Sequence, residues 1–199
     1  MSKVLQELLA LLKLEAIGVN RFRGRSQDLG FRNLFGGQVL GQSLSAAIQT
    51  LNAPTWVPHS LHAYFLRPGN VDDSVEFEVD IVRDGRSFCT RLVTASQNGK
   101  AILTMTCSFQ QPEEGFEHMA PMPEVKGPKG IYSELELVRM FKDFFPESVR
   151  DKYTADKPIE QRVVNPVNVF SPDKRDPIKH VWMKTDSDIG EDANAHYTV

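Results

Sequence analysis

His59 and His62 are the first candidates for chemistry in this 199-residue chain, because imidazole titrates near neutral pH and serves as a general base or a metal ligand. They lie in HSLHAYFLR, a segment of strand composition, and residues three apart on a regular strand point to opposite faces. A shared metal site is therefore not expected, nor is any metal or cofactor elsewhere. His59 remains a candidate base; the competing reading is a histidine satisfied within the structure. Phe35-Gly36-Gly37-Gln38 opens the run VLGQSLSAAIQTL. Glycines let a ligand approach the backbone, and a helix N-terminus carries partial positive charge, so these amides suit polarising a carbonyl oxygen. Equally, the glycines permit a sharp start to a tightly packed helix. Arg67, before Pro68-Gly69, and Arg83 and Arg86, flanking Asp84-Gly85, are candidates for meeting phosphates, with solvated turn charges as the alternative. Ser43 follows Gly41-Gln42 without completing a G-x-S-x-G turn, and neither a P-loop nor a dinucleotide fingerprint is present.

Such groups need elements to hold them. The composition is that of a globular protein, 41% hydrophobic and 25% charged. A net charge of −3 without a concentrated basic face argues against nucleic acid as a partner. The apolar run from Val4 to Leu14 contains Glu7 and Lys13 and is too short to span a bilayer. With Leu5, Leu8, Leu9 and Leu12 on one stripe and Ser2 as N-cap, it reads as an amphipathic helix. A cytoplasmic protein without membrane insertion is expected.

Residues 20–25 read as a short strand, 37–51 as a helix rich in small residues, and 59–67 as a strand ended by Pro68-Gly69. Three more strands follow, joined at Asp84-Gly85 and Asn98-Gly99, the dipeptides favoured by two-residue type I′ hairpins. That register predicts a core face of Val75, Phe77, Val79 and Ile81, then Phe88, Thr90, Leu92 and Thr94, then Leu103, Met105, Cys107 and Phe109. It sets Glu78 across from Arg91 and places Cys89 and Cys107 on opposite faces, as two free thiols. A one-sided antiparallel sheet with one long helix must bury that helix on its apolar face, an α+β arrangement. A Pro/Gly/Glu-rich linker runs from about Gln111 to Tyr132. Ser133 and Glu136 then form a capping box for a helix reaching Pro146, and 159–164 and 180–184 are strand-like.

The stretches FRGRSQDLGFRNLFGGQVLGQSL, HSLHAYFLRPGN and RDGRSFCTRLVTASQNGKAI resemble the acyl-CoA thioesterase II family, whose members fuse two hotdog units. The resemblance extends to about His196 and implies a first hotdog domain over 1–112, a linker over 113–132 and a partial second hotdog over 133–199, C-terminally truncated relative to the family. It further implies hydrolysis of fatty acyl-CoA to free fatty acid and coenzyme A by activated water. The acyl-CoA would lie beside the central helix, against Phe35, Gly36, Gly37, Gln38, Phe65, Arg67 and Phe88. The family's catalytic Asp, Thr or Ser, and Gln come from the second unit beyond His196-Tyr197, and no residue here matches them; His59 stays a candidate base on its own chemistry. The alternative is a non-catalytic acyl-CoA-binding or oligomerisation module. A hotdog hydratase would need an Asp and a His in the central helix, which has neither. A homo-oligomer is expected, because the partly apolar outer face invites a partner surface.

Overall fold

The computed structural model describes residues 1–167, 171 and 173–199, which divide into two compact units. One comprises Gln6–Gly115 with Ile189–Val199; the other comprises Met1–Leu5 with Phe116–Asp188. The expected division at 112/113 falls three residues early, and Ile189–Val199, expected with the second unit, belong to the first.

In the first unit, strands β1 (Glu15–Gly18), β2 (Arg21–Gly24), β3 (Val57–Phe65), β4 (Val75–Asp84), β5 (Phe88–Gln97) and β6 (Lys100–Gln110) form one antiparallel sheet ordered β1-β2-β4-β5-β6-β3. Helix α1 (Lys3–Leu12) begins with Ser2 Oγ accepting from the Leu5 amide at 3.3 Å, the expected cap. Helix α2 (Gly36–Ile48) lies along the inner face of the sheet. Its small Ser43, Ala46 and Ala47 are fully buried, and Val39 and Leu44 pack with Phe77, Val93, Leu103 and Phe109. Close approach of a helix to a sheet is what small residues allow, and the predicted wrapping of the sheet around this helix is what forms.

The register departs from expectation at both hairpins. Asn98 (φ +50°) and Gly99 (φ +72°) make the left-handed turn, and Gln97 pairs with Lys100 as predicted. An irregularity at Ala95/Ser96 then brings Ala95 opposite Leu103, one residue on. At the other hairpin Gly85 does not take a positive φ. Asp84 pairs with Cys89, and the Gly85 amide donates to the Phe88 carbonyl at 3.0 Å, so Gly85, Arg86 and Ser87 form the link. A further irregularity lies between Ile81 and Arg83.

These shifts reverse β5. Cys89, Arg91, Val93, Ala95 and Gln97 are buried, whereas Phe88, Thr90, Leu92 and Thr94, expected in the core, are not. Val75, Phe77 and Val79 on β4 face inward as expected, but Ile81 is half exposed. Glu78 pairs with Thr94 rather than Arg91. Arg91 is 1% exposed, its guanidinium 2.7 Å from Asp84 Oδ1 and donating to the Thr50 hydroxyl at 2.8 Å and the Arg83 carbonyl at 3.2 Å. Cys89 and Cys107 are free thiols, but both are buried on the inner face rather than on opposite faces.

In the second unit the capping box forms: the Glu136 amide donates to Ser133 Oγ at 3.1 Å and the Ser133 amide to Glu136 Oε2 at 2.6 Å. The expected single helix is broken into α3 (Glu134–Met140), a 3₁₀ turn (Lys142–Phe144) and α4 (Glu147–Thr154). Strands β7 (Ile159–Val163) and β8 (Val181–Thr185) pair antiparallel. Arg162 bridges this hairpin to the capping box, donating to Glu160, Glu136 and the Ile131 carbonyl. Returning to the first unit, α5 (Ala193–Thr198) packs against α2 at Gly41, where a Cβ would come within 2.6 Å of the Thr198 carbonyl oxygen.

Candidate functional site

A cleft of about 480 Å³ opens where α2 begins. Asn33 and Leu34 enter it from the segment before α2, Gly36 and Val39 from the helix, Phe65 to Gly69 from the end of β3 and beyond, and Ile102 from β6. Its shape follows from β6. The Ile102 carbonyl accepts from the Leu66 amide at 2.8 Å and the Arg67 amide at 3.3 Å, carrying the chain around the rim. Leu34 N donates to the Gly69 carbonyl at 2.8 Å and closes the opposite side. Leu34, Val39 and Ile102 form an apolar floor, each buried. Among these lining residues Arg67 is the charged one; its Nη1 donates to the Ala101 carbonyl at 2.8 Å.

Of the residues expected to bind substrate, Gly36, Phe65 and Arg67 come together here. Phe35 caps α2 and is half exposed. The two glycines have visible packing roles. A Cβ at Gly36 would sit 2.9 Å from Phe65 Cζ, and one at Gly37 would sit 2.5 Å from Phe35 Cε1, so each aromatic ring lies directly on a glycine. The amides of Gly36 and Gly37 precede the first intrahelical hydrogen bond, as in any helix. Gln38 is buried and does not line the cleft: its Oε1 accepts from the Gln27 amide at 3.1 Å and its Nε2 donates to the Arg25 carbonyl at 3.0 Å.

Phe88 and His59 lie elsewhere. Phe88 begins β5 on the outer face, with its ring 5.7 Å from that of His59. The pairing of β3 with β6 shifts between Pro58 and Ser60, so the alternation assumed for the two histidines fails. His59 Nε2 lies 2.9 Å from Ser108 Oγ, and His62 pairs with Thr106 and packs edge-on against Tyr64, so both histidines stand on the outer face. His59 is therefore at the far end of β3 from the start of α2, on the opposite face of the sheet. Arg83 and Arg86, at the β4–β5 end, do not join Arg67 at the Asn98-Gly99 end. Ser43 donates to the Val39 carbonyl at 2.7 Å within α2.

No Asp, Glu, His or Cys lines the cleft among the described residues, nor do these contain a cluster of three or more such side chains able to hold a metal. The thiols under the sheet are unreactive by environment. Burial pushes Cys89 up, partly offset by Arg91, and pushes Cys107 up to about 12. Gln42 and Gln97 escaped sequence reasoning. Gln42 carried a signal, a polar residue four after Gln38 on the packed face of a small-residue helix; Gln97 sat on a strand whose face was misassigned.

A six-stranded antiparallel sheet wrapped around one long helix defines a hotdog-fold protein. Residues 24–110 match the family described as acyl-CoA thioesterase N-terminal domain. Over 188 residues the chain is 41% identical to "Acyl-CoA thioesterase 2" of Haemophilus influenzae, matching 94% of this chain and 65% of that protein. It is 32% identical to human "Acyl-coenzyme A thioesterase 8", over 91% of this chain and 59% of the relative. Among solved structures, the acyl-CoA thioesterase II TesB2 of Mycobacterium marinum superposes with a TM-score of 0.71 at 29% identity, covering 96% of this chain and 64% of that one. The chain belongs to the acyl-CoA thioesterase II family, and it spans somewhat under two thirds of the length of these relatives.

Proposed function

We propose that this protein hydrolyses fatty acyl-CoA thioesters to free fatty acid and coenzyme A. The carrying observation is the open cleft at the start of α2, with an apolar floor and Arg67 on its rim. Leu34, Val39, Phe65 and Ile102 suit an acyl chain, and a guanidinium suits a phosphate. Backbone amides at the helix start suit the developing oxyanion. In the reaction, water adds to the thioester carbonyl, the C–S bond breaks, and the thiolate leaves and takes up a proton. Residues 133–188 are read as part of a second hotdog unit. The protein works in the cytoplasm as a homo-oligomer; exposed Leu61, Tyr64 and Phe65 on edge strand β3 favour association. No helix among the described residues is long and apolar enough to cross a membrane.

A second reading is a module that binds acyl-CoA without turning it over, favoured by the lack of any acid or base among the residues lining the cleft. Release of free thiol from a panel of acyl-CoA esters, alongside calorimetric binding of a non-hydrolysable thioether analogue, separates the two. Turnover well above the uncatalysed rate is expected for the enzyme, whereas binding alone supports the module. Absence of both overturns the acyl-CoA assignment.

A further inference from the structure

We infer that Gln38, Gln42 and Gln97 are positioning residues that clamp the two chain segments walling the cleft, and so set how tightly the cleft holds acyl-CoA; this rests on the substrate proposed above. The segments are 25–35, which brings Asn33 and Leu34 to the cleft, and 66–74, which brings Leu66 to Gly69. Neither belongs to a helix or strand, so their backbone groups need partners from outside. A primary amide supplies two donors and an acceptor at once.

Gln42, fully buried, donates from Nε2 to the Leu11 carbonyl at 2.9 Å and the Arg25 carbonyl at 3.0 Å. Its Oε1 accepts from Gln38 Nε2 at 3.2 Å, and Gln38 binds the Arg25 carbonyl and the Gln27 amide. On the other wall Gln97, 7% exposed, accepts from the Asn70 amide at 2.8 Å and donates to the Asn70 and Asp73 carbonyls, each at 2.8 Å. The Ser26 hydroxyl donates to the same Asp73 carbonyl, and Leu34 N donates to the Gly69 carbonyl, so the two walls are tied to each other. Glycines leave room for the clamps. A Cβ at Gly24 would lie 2.6 Å from Gln42 Nε2, and one at Gly69 would lie 3.0 Å from Leu34 Cβ and 3.3 Å from Gln97 Oε1.

The test uses the whole chain with Gln42→Met and Gln97→Met, similar in size but without the amide, and Ser26→Ala as a milder variant should either fail to fold. Gln49→Met, at the exposed glutamine just after α2, is the control. Hydrogen exchange is read by segment, and binding of the thioether analogue by calorimetry. Gln42→Met should speed exchange in 25–35, and Gln97→Met in 66–74, each by about tenfold or more, with central β5 and β6 unchanged and analogue affinity reduced about tenfold. Unchanged exchange in both segments overturns the inference, as does loosening that leaves the affinity of a binding wild-type chain intact. A wild-type chain that does not bind the analogue overturns the substrate reading instead, while exchange still decides whether the glutamines clamp the walls.

Discussion

Arg91 is a charge placed where the sequence pattern asked for the opposite face, and its partners explain how the core tolerates it. Asp84 neutralises it, while Thr50, just beyond the C-terminus of α2, and the Arg83 and Thr90 carbonyls take its donors. Arg91→Met leaves these acceptors without partners beneath the sheet and should cost about 3 kcal/mol in denaturant unfolding. Asp84→Asn should cost less, because Asp84 is half exposed and water compensates. Cys107 gives a pH-dependent signature. Burial pushes its folded pKa up to about 12, above the 9.0 of an unburied thiol, so the folded state prefers the protonated form. Its contribution to stability is complete below about pH 9 and is lost between pH 9 and 12, as the unfolded chain ionises first. Cys107→Ala should flatten that alkaline loss in unfolding measured across pH, and neither native thiol should react with a disulfide reagent at pH 8 before unfolding.

Elements were legible in the sequence where a single local rule governed them. The central helix followed from its run of small residues, the Asn98-Gly99 turn from its dipeptide and the start of α3 from Ser133 with Glu136. The face of β5 was not legible, because one dipeptide, Asp84-Gly85, was read as a two-residue turn and a period-of-two pattern carries any slip along the strand. The amphipathic signal was also weak, since Thr and Leu outside alternate with Arg, Val and Ala inside. His59 was misplaced for a related reason, a β3 irregularity that alternation cannot show. Gly99→Ala forces a Cβ into left-handed backbone and should cost about 1 kcal/mol in thermal unfolding, although nothing lies within 4 Å of that Cβ. Ser133→Ala should cost about 1 kcal/mol and weaken the second unit. Glu136 is held below the usual carboxylate range, chiefly by the Ser133 amide, so the contribution of this cap is present at neutral pH and fades on acidification.

At the scale of the whole molecule, residues 111–127 form no helix or strand and carry exposed Phe116, Met119 and Met122. Limited proteolysis should cut first between about 112 and 128, ahead of any site in β4 to β6. First cuts within the sheet instead would overturn that expectation. The cleft was partly legible: Gly36, Phe65 and Arg67 were named from sequence and meet there, whereas Phe88 and His59 lie across the sheet. Its clamps were not, because glutamines that meet these segments only at backbone groups leave no pattern in the segments they hold. That same property frees those segments to change. The carbonyls of Arg25, Asn70 and Asp73 would be presented in the same way by many other side chains at these positions, so wall shape and wall chemistry are specified by different residues. The surface that the cleft presents can therefore be changed by substitution along 27–33 and 66–72 without rebuilding the scaffold, provided Gln42 and Gln97 stay in place.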